Sequence, residues 1–126
     1  MSNPTYPSGA GRRKPLGWLH GQIKTPPFSK DARIEAGVLL ARLQNGESLG
    51  MPYSRSMPSI GPRCHELRIR DADAHWRIIY RIDVDAILIV DVFPKTTRQT
   101  PKSIVDVCQS RLSAYDSAAK RGRTGA

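Results

Sequence analysis

His65-Glu66-Leu67-Arg68-Ile69-Arg70 and Trp76-Arg77-Ile78-Ile79-Tyr80-Arg81-Ile82, joined by the polar stretch Asp71 to His75, read as an antiparallel β-hairpin. Side chains alternate across a pleated strand. Leu67 and Ile69 therefore share one side of the first strand, and Glu66, Arg68 and Arg70 share the other. In the second strand Trp76, Ile78, Tyr80 and Ile82 form the apolar side and Arg77, Ile79 and Arg81 the opposite one. A turn centred on Asp71 to His75 that keeps the two apolar sides together sets Arg68 opposite Ile79, Arg70 opposite Arg77 and Glu66 opposite Arg81. The hairpin then has one apolar and one cationic face. Like charges directly across a ladder are destabilising, so facing arginines imply that an anion belongs between them.

Upstream, Leu16 to His20 around Trp18 is expected as an opening strand, and Thr25-Pro26-Pro27 breaks regular structure. A helix should begin with Ser29 as N-cap and Asp31 in its first turn. Ala32, Ala36, Leu39, Leu40 and Leu43 give it an apolar stripe, and Asn45-Gly46 closes it. Gly50 to Arg63, rich in Pro, Gly and Ser, is expected as an ordered loop. Downstream, Ile87 to Phe93 is almost wholly apolar and should be an inner strand buried on both sides. Pro94 should end its pairing, with Lys95 and Arg98 emerging beyond. Thr100 then caps a last helix with Pro101 at its first position, and Ile104, Val107, Cys108, Leu112 and Tyr115 make its stripe. This order predicts an α+β fold: a small, antiparallel-dominated sheet of about four strands with helices packed on one face.

Twenty Lys and Arg against eleven Asp and Glu give the 126-residue chain a formal charge of +9, a field suited to phosphates or to an acidic protein. The length fits one domain, expected over 15–116 between basic, unstructured tails at 1–14 and 117–126. Cys64 and Cys108 lie in no metal-ligand pattern and read as reduced thiols. With no apolar run long enough to cross a bilayer and no signal-peptide core, a soluble cytoplasmic protein without membrane association is expected.

Glu66-Leu67-Arg68, Trp76-Arg77-Ile78-Ile79-Tyr80, and Phe93-Pro94-Lys95 followed by Thr100-Pro101, with Leu43-Gln44-Asn45-Gly46 upstream, together resemble the phage-related HigB-like branch of the RelE/ParE toxin superfamily. The resemblance covers about Leu16 to Asp116. It implies a RelE-like fold and the toxin of a type II toxin-antitoxin pair, an endoribonuclease that cuts translated messenger RNA on the ribosome and so stops translation and growth. It also implies a cognate antitoxin as partner. Many relatives carry a second basic residue after the lysine of the Phe-x-Lys motif. Thr96 stands there, which thins the cationic tip. Plasmid-type HigB proteins have a C-terminal acid-histidine arrangement, whereas His20, His65 and His75 all precede the last strand, leaving the proton-transfer residue open.

Attack of an RNA 2′-hydroxyl on its own phosphate needs in-line geometry, proton movement and positive charge on the transition state. The sequence has no carboxylate or His/Cys cluster at ligand spacing. A route without metal or other cofactor, carried by guanidinium and ammonium groups, is therefore expected. Arg68 is assigned by the motif as the phosphate clamp, and its planar fork can hold two phosphate oxygens. Lys95 is the second phosphate contact and His65 the candidate proton carrier, although alternation puts His65 on the Leu67 side. Arg70, Arg77, Arg81 and Arg98 are expected along the RNA backbone, with pairing to Glu66 as the other reading of Arg81. Two further functions stay open: ParE-like inhibition of DNA gyrase, and a non-catalytic phage-derived nucleic-acid-binding module.

Overall fold

The computed structural model describes residues 13–19, 28–72, 74–96 and 98–124. Strand β1 (Leu16–Trp18) is followed by helix α1 (Lys30–Gln44), strands β2 (Ser54–Ser56), β3 (Cys64–Arg70), β4 (His75–Ile82) and β5 (Ile87–Lys95), and helix α2 (Lys102–Thr124). The five strands form one sheet in the order β1-β5-β4-β3-β2. Only the β1–β5 pair is parallel. The α+β class and the antiparallel centre are as expected. The fifth strand is β2, formed inside the stretch expected to be a loop, where Arg55 pairs with Glu66 along β3.

Helix α1 follows its sequence signals closely. Ser29 Oγ accepts from the Ala32 amide at 3.1 Å, Gly46 adopts φ +91° just past the end, and Ala32, Ala36, Leu39, Leu40 and Leu43 are all buried. They pack on Leu67, Ile69, Trp76, Ile78, Tyr80, Ile87 and Ile89. Each such large side chain withdrawn from water contributes about 1.5–3 kcal/mol. Tyr80 is fully buried here, and its phenol shares a 2.6 Å hydrogen bond with Ser54 Oγ. At the sheet edge Gly17 lies against β5 so closely that a Cβ would meet Leu88 Cδ2 at 2.8 Å.

The expectation that both helices share one face is corrected. Helix α2 covers the opposite side, where Cys108 and Leu112 pack on Cys64, Ile79, Leu88, Val90 and Phe93. The physical reason is β5, whose Ile87 to Val90 are buried on both sides and need a layer on each. Arg111 of α2 reaches Asp91 at 3.2 Å and the Val90 carbonyl at 2.7 Å. In the stripe of α2, Val107 is exposed and Val105 packs inward instead.

Ser117 to Thr124, expected as an unstructured tail, continues α2. Ser117-Ala118-Ala119-Lys120-Arg121 consists largely of good helix formers, with no proline to stop it. The N-terminal tail lies outside the described residues except Arg13 and Lys14. Lys14 is tied by its amide to the Gln44 carbonyl and by its amine to that of Asp83. Pro94 does not end β5: it pairs with Trp76, and Lys95 pairs with His75.

Both cysteines are free and buried. Burial raises both thiols, that of Cys108 to about 12, so neither is a thiolate nucleophile near neutral pH. Among the described residues no helix is long and apolar enough to cross a membrane.

Candidate nucleic-acid interface

The hairpin closes more tightly than its polar stretch implies. The Asp71 amide donates to the Ala74 carbonyl at 2.9 Å, and His75 already belongs to β4. The register is therefore shifted by two residues from the expected one, which preserves every face but changes the partners. Arg68 faces Arg77, Arg70 faces His75, Glu66 faces Ile79 and Cys64 faces Arg81. Extended through β5, one row of the sheet reads Arg70, His75, Lys95, and the next reads Arg68, Arg77, Phe93.

This row structure divides the α2 side of the sheet. Helix α2 covers the end carrying Cys64, Ile79, Leu88 and Val90, whereas the end carrying Arg68, Arg70, His75 and Lys95 lies open. There the sheet forms a groove of about 820 Å³ lined by six cationic side chains, Arg55, Arg68, Arg70, Arg77, Lys95 and Arg98, together with His75, Tyr53 and Glu35.

A single carboxylate organises the floor. Glu66 is fully buried; its Oε1 lies 3.4 Å from Arg55 Nε, 3.5 Å from Arg77 Nε and 3.7 Å from Lys95 Nζ. Its Oε2 accepts from Thr100 Oγ1 at 2.7 Å. Thr100, expected to cap α2, spends its hydroxyl on Glu66 instead, and the Pro101 carbonyl receives the first helical amides, from Ile104 and Val105. Glu66 Oε1 and Arg77 Nε lie within ion-pair distance yet are each buried without a hydrogen-bond partner. Glu66 thus holds the cations together through charge rather than through directed bonds, and one negative charge is shared among three positive ones.

Burial lowers the basicity of Lys95 and of Arg77 from their ordinary ranges, against the opposing pull of Glu66. The Arg77 Nη1 donates to the Trp76 carbonyl at 3.1 Å. Arg68 donates to the Met51 sulfur at 3.5 Å, a weak acceptor, and forms no ion pair among the described residues. An anion with several oxygens would find charge-assisted donors here that the protein leaves under-used.

Of the side chains singled out in the sequence, Arg68, Lys95, Arg70, Arg77 and Arg98 come together in this groove. Two do not. His65 alternates to the α1 side, where its ring stacks on Tyr80 with centroids 5.2 Å apart, and burial lowers its pKa. Arg81 sits at the covered end. Its Nε and Nη2 bind both oxygens of Asp83 at 2.8 and 2.9 Å, while Nη1 and Nη2 bind those of Asp116 at 3.0 and 2.7 Å. These contacts raise its pKa still further and hold α2 to the sheet. The expected Glu66–Arg81 pairing is replaced because the tighter turn places Arg81 opposite Cys64. Sequence reasoning passed over Arg55 and Tyr53, which reach the groove only because β2 joins the sheet. It treated His75 as a turn residue, although β4 starts with it. Among the described residues no three His, Cys, Asp or Glu side chains gather as a metal site would require.

A family model described as phage-derived protein Gp49-like (DUF891) matches residues 27–113, from just before α1 to the middle of α2. The chain belongs to the Gp49-like family. The matched region of this Gp49-like protein contains the whole hairpin, Lys95 and the groove. No curated protein and no solved structure matches the chain.

Proposed function

We propose that this Gp49-like protein is the toxin of a type II toxin-antitoxin pair, of the HigB-like branch of the RelE/ParE superfamily, and that its groove cuts messenger RNA on the ribosome. The observation that carries the proposal is the concentration of under-neutralised guanidinium groups at the uncovered end of the sheet. Phosphates of a flexible single strand can enter such a groove, whereas a globular protein partner needs a broader complementary surface. This favours RNA over a gyrase subunit as the ligand.

In the proposed reaction the 2′-oxygen attacks the adjacent phosphorus, the P–O5′ bond breaks, and the products carry a 2′,3′-cyclic phosphate and a 5′-hydroxyl. Arg68 grips the scissile phosphate through two oxygens, and Arg77 supplies further positive charge as the phosphorane-like state forms. His75, in one row with Arg70 and Lys95, is the imidazole placed to accept the 2′-hydroxyl proton. Lys95 gives its proton to the departing 5′-oxygen. Its lowered basicity makes it a stronger acid than a solvated lysine. Glu66 touches no substrate and keeps Arg55, Arg77 and Lys95 converged. An antitoxin of lower charge would mask the groove, since opposite fields speed association.

Primer extension on translated messages, after induction and in reactions with and without ribosomes, tests the reading. Cut ends within codons that appear only with ribosomes, and vanish with Arg68→Ala, are the expected result. Intact messages accompanied by arrested supercoiling would move the target to gyrase. Salt-sensitive RNA binding without cut ends would make the protein a binding module.

A further inference from the structure

Tyr53 lies one position before β2, and its carbonyl accepts the backbone amide of Arg68 at 2.8 Å. Its own amide donates to the Gly50 carbonyl at 3.0 Å, so the backbone is held at both ends directly beside Arg68. The register of β2 against β3, with Ser54 opposite Leu67 and Arg55 opposite Glu66, puts Tyr53 on the groove side in the row of Arg68 and Arg77. Tyr53 is 44% exposed, lines the groove, and its ring stacks on no other ring among the described residues. Met51, 62% exposed, touches Arg68 from the same segment. A half-exposed aromatic ring beside under-neutralised guanidinium groups combines the two elements that hold single-stranded nucleic acid: a stacking surface and a phosphate anchor.

We propose that Tyr53 is the platform on which the RNA base adjacent to the Arg68-bound phosphate stacks. This rests on the reading of the groove as an RNA site and names the residue that orients the nucleotide within it. Two anchors per nucleotide, phosphate on Arg68 and base on Tyr53, fix rotation about the sugar between them. That rotation decides whether the 2′-oxygen lies in line with the departing 5′-oxygen.

Binding of a short fluorescein-labelled single-stranded ribo-oligonucleotide, compared with copies carrying one abasic ribose at each position in turn, tests the platform without ribosomes. The parent should lose roughly five- to a hundredfold in affinity at one abasic position. Tyr53→Ala should lose a similar factor on the intact strand and become indifferent to that abasic substitution, whereas Tyr53→Phe should behave as the parent. Arg68→Ala should weaken intact and abasic strands alike. If Tyr53→Ala binds the intact strand as tightly as the parent while Arg68→Ala does not, the platform is wrong and the phosphate clamp stands. Equal binding by the parent and Arg68→Ala on every strand overturns the clamp, and the platform with it.

Discussion

Arg77 and Arg81 stand four residues apart on β4, on the same side of the sheet, and have opposite fates. Arg81 is clamped by two carboxylates, from Asp83 and from Asp116 on α2, so its donors are consumed in holding the covered end together. Arg77 shares a single carboxylate with Arg55 and Lys95 and faces Arg68 across the ladder. Identical side chains in one strand thus serve cohesion at one end of the sheet and, in the proposed function, anion capture at the other. What separates them is the supply of nearby negative charge and the cover of a helix.

The contrast is broken most forcefully by removing the shared carboxylate. Glu66→Ala leaves Arg77 and Lys95 partly desolvated without a counter-charge, and urea unfolding should show a loss of about 3–5 kcal/mol. Retention of parental stability would mean that the cations relax into water at no cost and that Glu66 does not organise the groove. Next in size is Arg68→Ala. It should unfold like the parent yet cut translated messages roughly a hundredfold more slowly, the effect of losing one preorganised donor, about 3 kcal/mol. Arg81→Ala should do the reverse. It should lower stability by about 2 kcal/mol, less than a fully buried pair because Asp116 is exposed, and leave RNA affinity at the parental value in the folded fraction.

The smallest effect concerns pH and the α1 side. Burial holds the folded pKa of His65 below its ordinary 6.5, so between the two values the unfolded chain carries the extra proton. Stability contributed by neutral His65 is therefore present above pH 6.5 and is lost as pH falls through the folded pKa. In His65→Gln, denaturation curves collected at successively lower pH should show a shallower decline, with cutting activity near the parental rate. A large loss of activity would return His65 to the site.

Much of this contrast is legible in the sequence, and the gaps have physical causes. Alternation assigned every hairpin side chain to its correct face because a strand's period of two survives a register error of two. Partners did not survive it: Ala72 and Ala74 give no turn signal strong enough to show that Asp71 and Ala74 close the loop, and the fate of Arg81 depended on that closure. The open groove was harder to see. Arg55 belongs to a strand of three residues, too short to establish a period, and Tyr53 stands between that strand and Pro52; they meet Glu66 and Arg68 only through sheet pairing. Helix α1 announced itself through its cap and stripe. The second layer was missed, although an inner strand apolar on both sides requires cover on each face.

The central claim, that the uncovered end of the sheet captures RNA phosphates and the covered end does not, is tested most directly by the salt dependence of single-stranded RNA binding. The slope of log affinity against log salt counts phosphates neutralised, about 0.7 for each on a single strand. Arg68→Ala should flatten the parental slope by about that amount, whereas Arg81→Lys, which keeps the charge at the covered end, should leave it unchanged. An unchanged slope in Arg68→Ala, or a flattening in Arg81→Lys as large as that expected of Arg68→Ala, would contradict the account.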